Sequence, residues 1–360
     1  MKDHFGNPSS SHWYGVETKN AVGKARRRVG SLLGCQTDEI IFSSGGTESN
    51  NYAIKGIASA QRNKGNHIIT SQIEHPAVLE VCKFLEENGF KVTYLSVDGF
   101  GLVRVSDVEK AITPQTILIT IMHANNEVGT IQPIELISKI AKERGIIIHT
   151  DAAQSLGKIP VDVNFLGVDL LTIAGHKLYA PKGIGALYIR RGLQLTKLIH
   201  GAGHECGKRA GTENVLEIIG LGKACEVARR DLAKNVRNMK GTRDRLHHGL
   251  QGILEEIRLN GHTEKRLPNT LSLSFSGIEA DRLLFEIREH VAASAGAACH
   301  SGEVEISSVL KAMDVSVGLA SGTIRFSTGR MTTENEIDTA VNIISDAVIK
   351  LRGNSEKGLK

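Results

Sequence analysis

No apolar run in this 360-residue sequence reaches the roughly 18 residues that a membrane-spanning helix needs. The N-terminus does not read as a secretion signal either, since Met1-Lys2-Asp3-His4-Phe5 runs directly into polar sequence. Cysteine is scarce and odd in number, with Cys35, Cys82, Cys206, Cys225 and Cys299 forming no CxxC pair and no zinc-ligand spacing. A disulfide framework is therefore excluded, and a reducing, cytoplasmic setting without a bound metal is the expectation. Charge of one sign is also lacking: 44 basic residues face 39 acidic ones, a net +5 scattered along the chain. That balance argues against nucleic-acid and membrane-surface binding. The densest basic run, Arg26-Arg27-Arg28, reads as a solvated helix face. Prolines number 7 and aromatics make up 4%, whereas glycines number 38, many of them beside the polar motifs below.

What the chain does have is alternation. Short β-branched runs at 39–43, 67–71, 91–97, 116–122, 145–150, 169–173 and 185–189 are separated by amphipathic helical stretches at 48–61, 76–87, 105–111 and 134–143. Near-continuous apolar strands alternating with helices predict an α/β fold with a mainly parallel sheet covered on both faces. A lysine- and arginine-rich helical stretch over 215–257 leads to a clean alternation, Thr270 to Phe275, that reads as a half-buried strand. Helices at 279–288 and 334–351, a strand at 323–327 and a polar tail from Gly353 complete a smaller α+β domain. The expected division is a large domain over 1–225 and a small one over 226–360, with the first residues packing on the small one.

The polar motifs stand at strand ends, where open α/β sheets bind ligands. Ser43-Ser44-Gly45-Gly46-Thr47-Glu48 joins a strand to a helix; paired glycines and a helix N-terminus suit an anion, although a plain turn capped by Thr47 fits as well. Asp151 closes a buried strand, and a buried carboxylate needs a cationic or protonated partner such as a pyridinium nitrogen. Lys177 follows another strand in Gly175-His176-Lys177. A reactive lysine needs a lowered pKa, which burial provides. Anion turn, then acid, then lysine, in that order on successive strand ends, points to pyridoxal phosphate.

The sequence resembles the cysteine desulfurases and selenocysteine lyases of the class V, PLP-dependent aminotransferase-like fold. The likeness rests on Gly45 to Asn50, Glu74-His75-Pro76, Asn125 to Gly129, Asp151 to Gln154, Gly175 to Lys177, Arg209 to Asn214, Ala297 to Ser301 and Ile324 to Ser327. It covers essentially the whole chain. It implies that Lys177 holds the cofactor as a Schiff base and shuttles protons, that Asp151 pairs with the pyridine nitrogen, and that Gln154 bonds the phenolic oxygen. His75 stacks on the ring; alternatively it is an ordinary helix cap. Gly46, Thr47 and His176 hold the phosphate, joined by Thr212 from the other subunit of a homodimer. Asn126 and Arg325 bind the substrate carboxylate, for which a guanidinium fork is suited. Cys299, in a small-residue stretch expected to be a mobile loop, attacks the substrate sulfur and carries a persulfide to an acceptor such as an iron–sulfur scaffold.

Three departures bear on vigour. The family's opening strand and Asn-Ala-Thr-Thr segment are missing ahead of His4, which is expected to weaken folding or activity and would hide a targeting peptide. Ala174 stands where a phosphate-binding serine is common, and Cys206 where an arginine is common. The leading expectation is release of alanine from L-cysteine. Release of selenium from L-selenocysteine is the first alternative, and a weakly active regulatory homologue the second; a transaminase would have no use for Cys299.

Overall fold

The computed structural model describes residues 5–300 and 303–357, with 297–300, 303–305 and 354–357 as backbone only. Two compact units divide the chain. The first comprises Met1–Leu95, Val103–His123 and Gln132–Leu232, the second Ser96–Leu102, Ala124–Ile131 and Ala233–Lys360. The division thus falls after Leu232 rather than at 225, and two short excursions of the earlier chain belong to the second unit.

In the first unit, β1 (Ile40–Ser43), β2 (His67–Ser71), β3 (Lys91–Leu95), β4 (Thr116–Thr120), β5 (Ile147–Asp151), β6 (Leu170–Ala174) and β7 (Gly185–Ile189) form one sheet in the order β1-β7-β6-β5-β4-β2-β3. Pairs from β3 through β6 are parallel, whereas β7 runs antiparallel to both β6 and β1. Every residue of β2, β4 and β6 is buried, which is why these strands read as continuous apolar runs rather than alternating ones. The helices α1 (Trp13–Leu33), α2 (Gly46–Ala60), α3 (Pro76–Glu87), α4 (Val105–Ala111), α5 (Ile134–Glu143) and α6 (Val163–Leu166) belong to this unit. Ile54 and Ile57 of α2 and Val78, Val81 and Leu85 of α3 join strand residues Ile68, Leu118 and Leu187 in one core. The longer α7 (Val215–Ile253) begins here.

In α1, the buried positions Val22, Ala25, Val29 and Leu33 recur at helical spacing, and Gly34 in the left-handed region ends it. Its arginines are not all solvated, as the sequence suggests. Arg26 grips both oxygens of Glu205 at 2.7 Å, donates to the Ile40 carbonyl and lies over the Phe42 ring.

The second unit holds β8 (Ile257–Asn260), β9 (Thr270–Phe275), β10 (Ser294–Ala295), a hairpin of β11 (Ala297–His300) and β12 (Glu303–Ile306), and β13 (Thr323–Ser327). The main sheet runs β10-β13-β9-β8, all antiparallel. Helices α8 (Ala280–Ile287), α9 (Ser308–Ala312), α10 (Val317–Ala320) and α11 (Glu334–Lys357) complete it, so the expected polar tail after Gly353 continues as helix through Lys357. All six residues of β9 are buried, not only its apolar half. Its alternating serines are accommodated by partners: the Ser274 hydroxyl meets Thr323 Oγ1 at 2.7 Å and accepts from Asn260 Nδ2 at 2.9 Å. Among the described residues, no helix is long and apolar enough to cross a membrane.

A polar ladder runs through the centre of the large sheet. The His149 ring on β5 bridges Thr120 Oγ1 on β4 at 2.8 Å and Thr172 Oγ1 on β6 at 3.0 Å. Burial pushes its pKa down to about 3, and that of His123 down to about 4. The unfolded chain therefore takes up these protons first. The stability held by the neutral rings is complete above the ordinary value of 6.5 and is lost as pH falls through the folded values. Each ring costs about 1.4 kcal/mol per pH unit inside that window. His149→Gln should accordingly flatten the acid limb of the stability curve between pH 6.5 and about 4, read by denaturant unfolding at several pH values. An unchanged slope would show that the ring is not held neutral.

Candidate active site

At the end of β1, the Ser43 hydroxyl bonds Ser49 Oγ at 2.7 Å and the Gly45 carbonyl, shaping the turn that opens α2. Gly46 is needed for close approach: a Cβ there would stand 3.2 Å from that of Ala174 at the end of β6. The first N–H groups of a helix have no acceptor within it, so this turn offers donors to an anion beside Gly175-His176-Lys177. The turn is fixed from outside by Glu48, which accepts from the Ser44 N–H and is bridged by Arg209 at 2.9 and 3.2 Å. Thr47 is exposed, as is Thr212, which borders a cavity of about 220 Å³ together with Ser44 and Arg209 of its own chain.

Asp151 closes β5 at 7% exposure. Its Oδ2 accepts from Asn50 Nδ2 of α2 at 2.7 Å and its Oδ1 from the Ala153 N–H at 2.8 Å. Burial drives its carboxyl above the usual range against those two donors and the nearby His75. Among the described residues it has no lysine or arginine partner. Glu74, deeper still, accepts from Ser71 Oγ and the Met122 N–H, and burial raises it to about 8. His75 caps α3, its Nδ1 accepting from the Ala77 N–H at 3.0 Å, so the cap role is real and the other ring nitrogen carries the proton.

Lys177 lies in a 3-10 turn, Gly175–Leu178, which Tyr179 closes in the left-handed conformation. Its side chain is exposed, as is that of His176, rather than buried as the lowered-pKa argument requires. The buried amine is Lys158. The turn 152–158 that carries Gln154 and Lys158 packs on the turn of Lys177, because a Cβ at Gly157 would fall 2.2 Å from Leu178 Cδ1.

In the second unit, Asn125 Oδ1 accepts from the N–H groups of Glu127 and Val128, and Gly129 at φ 80° closes the loop. Arg325 on β13 donates to the Asn126 carbonyl at 3.2 Å and to Ser294 Oγ at 3.1 Å. Its Nε is buried and has no acceptor among the described residues, a donor edge that suits a carboxylate. Arg325 therefore holds the backbone of Asn126, not its side chain. Cys299 lies on β11 opposite Val304 of β12. Its backbone is thus in a hairpin where a mobile loop was expected; its side chain and Ser301–Gly302 lie outside the described residues. Ser307, after the hairpin, caps α9 and donates to Glu127.

The residues fit pyridoxal phosphate on one observation above all: Asp151 is a buried carboxylate that has two neutral donors and, among the described residues, no lysine or arginine partner, as a ring N–H⁺ would require. Sequence reading singled out Asp151 but not Asn50, which donates to it, nor Glu74, whose carboxyl its charge raises, nor the buried Lys158. Asn50 was legible only as the last letter of a motif, and nothing in the spacing marks Lys158 as buried.

A carboxylate, a lysine and an anion-receiving helix end at the strand ends of a mainly parallel sheet define an aminotransferase-type PLP enzyme. The chain belongs to the class-V aminotransferase family, whose model matches residues 1–340. It is 50% identical over 353 residues to cysteine desulfurase IscS of Dictyoglomus turgidum, covering 98% of this chain and 90% of that protein. Among solved structures, a NifS-like protein superposes with a TM-score of 0.89 at 39% identity, covering 95% of this chain and 91% of that one. A structure described as SspA in complex with cysteine gives 0.80 at 39% identity, over 92% and 93%.

Proposed function

We propose that this chain is a cytoplasmic, homodimeric cysteine desulfurase that converts L-cysteine to L-alanine and passes the sulfur, as a Cys299 persulfide, to an acceptor protein for iron–sulfur cluster or thio-cofactor synthesis. The cation-less Asp151 carboxylate carries the cofactor assignment; the desulfurase relatives and the complex with cysteine support the substrate.

Pyridoxal phosphate, when bound, supplies an electron sink for the substrate's α-carbon. The protein does the rest. The α2 N-terminus with Gly46 and Thr47, joined by His176 and by Thr212 of a second copy, takes the phosphate. Asp151 would pair with the ring nitrogen, His75 would cover the ring and Gln154 would bond the phenolic oxygen. Arg325 and Asn126 orient the substrate carboxylate. Lys177 anchors the cofactor and moves the α-proton. Cys299 Sγ then bonds to the substrate sulfur as the carbon–sulfur bond breaks, the electron pair returns to carbon, and a proton completes alanine.

Cys299→Ala tests the chemistry. It should keep its cofactor and lose sulfide and alanine release from cysteine; intact turnover would refute a persulfide route. Assaying L-selenocysteine alongside distinguishes a lyase, which would release alanine from that substrate and little from cysteine. Arg325→Lys should raise KM for cysteine by about 10- to 100-fold with a smaller effect on kcat, because an ammonium cannot reproduce the guanidinium fork. Steady-state kinetics at saturating cofactor would show it.

A further inference from the structure

The most unusual group in the first unit is a lysine that no step above uses. Lys158 is 8% exposed. Among the described residues it has no carboxylate partner, although a buried cation is costly without one. Its ammonium bonds two oxygens of a single residue four positions back: the Gln154 carbonyl at 2.7 Å and Gln154 Oε1 at 3.4 Å. Its backbone is folded under it, since its N–H bonds the Ser155 carbonyl at 3.0 Å and Gly157 takes φ 77°. Burial and the nearby Lys177 charge lower its pKa to about 8, so it is charged at neutral pH despite the cost.

An ammonium donates and cannot accept. The side-chain atom of Gln154 that faces it must therefore be the oxygen, which turns the –NH₂ of the amide the other way. We propose that Lys158 is a positioning residue that locks the Gln154 amide with its –NH₂ outward, so that Gln154 can only donate to the phenolic oxygen of the cofactor. The proposal rests on the placement of Gln154 made above. A freely rotating amide would present oxygen part of the time, an acceptor facing an oxygen that carries negative charge. A buried lysine without a carboxylate among the described residues is thus explained by what it forces on its neighbour. Its substitution by an apolar chain removes a desolvated charge and leaves the fold intact.

The test reads the resting, cofactor-loaded protein without substrate. A donor on the phenolic oxygen stabilises its deprotonated form, so the pH midpoint of the visible absorbance change should rise by about one unit in Lys158→Met. Lys158→Arg, which keeps donors in place, should recover part of the shift. In a Gln154→Ala background, Lys158→Met should add nothing, because the lysine acts through that amide. An equal shift in both backgrounds, or no shift where Gln154 is intact, overturns the lock. If Gln154→Ala alone leaves the midpoint unmoved, the placement of Gln154 fails and the lock fails with it. Borohydride labelling of Lys177 in each variant confirms that the cofactor is in place, and thermal melts show that each is folded.

Discussion

Asp151→Asn is expected to give a protein that is more stable when stripped of cofactor and at least about 100-fold slower when loaded with it. The two halves of that result have one cause. In the free protein Asp151 is a buried carboxylate whose pKa is raised by burial, with Asn50 Nδ2, the Ala153 N–H and the nearby His75 offsetting part of the cost. The amide that replaces it needs no such compensation. The Asn50 amide, whose Oδ1 has no partner among the described residues, turns to accept from the new –NH₂ and carries its own –NH₂ to the unpartnered side. Removing the buried charge should add about 1 kcal/mol. In the loaded enzyme the same change removes the anion that keeps the ring nitrogen protonated, and the electron sink weakens. Melting of the cofactor-free forms and kcat/KM of the loaded forms measure the two halves. A destabilised free protein would mean that the carboxylate already has a partner; undiminished turnover would mean that it does not face the ring.

That trade also marks what the sequence can and cannot show. The strand-end placement of Asp151, Lys177 and the Gly45-Gly46 turn was legible because the apolar runs identify the strands. The parallel core β2 through β6 was legible for the same reason, since burial on both faces leaves an uninterrupted hydrophobic signature. Burial of individual polar residues was not. Thr270-Leu271-Ser272-Leu273-Ser274-Phe275 alternates as a half-exposed strand does, yet Asn260 and Thr323 supply partners that let the polar half go inside. Arg26 was lost in a basic triplet because its partner Glu205 is 179 residues away. Lys177 and Lys158 show the same limit in reverse. The lysine expected to be buried is exposed, and the one that is buried follows a turn whose geometry depends on Gly157 meeting Leu178. Motif residues can be read singly; the residues that hold them are visible only once the turns are packed.

Lys177→Ala should abolish alanine release and borohydride labelling of the 175–178 peptide while leaving the melting temperature unchanged. The backbone under Lys177 is held by neighbours and not by its own side chain. A Cβ at Gly175 would stand 2.7 Å from the Ile184 carbonyl, Leu178 abuts Gly157, and Tyr179 at φ 63° turns the chain away. The exposed lysine side chain adds nothing to that clamp, so its loss is a loss of chemistry alone. Lys158 cannot stand in, despite being the second amine near the site. It is buried and engaged with two Gln154 oxygens, and without the Lys177 charge it keeps its proton to higher pH than before. Lys177→Arg separates nucleophile from charge: it restores the cation but offers no amine that can bond to the cofactor's aldehyde, and it should be as inactive as the alanine variant. Activity retained in the arginine variant would mean that Lys177 serves only as a charge; a label recovered on Lys158 in the alanine variant would mean that the anchoring amine had been assigned to the wrong turn.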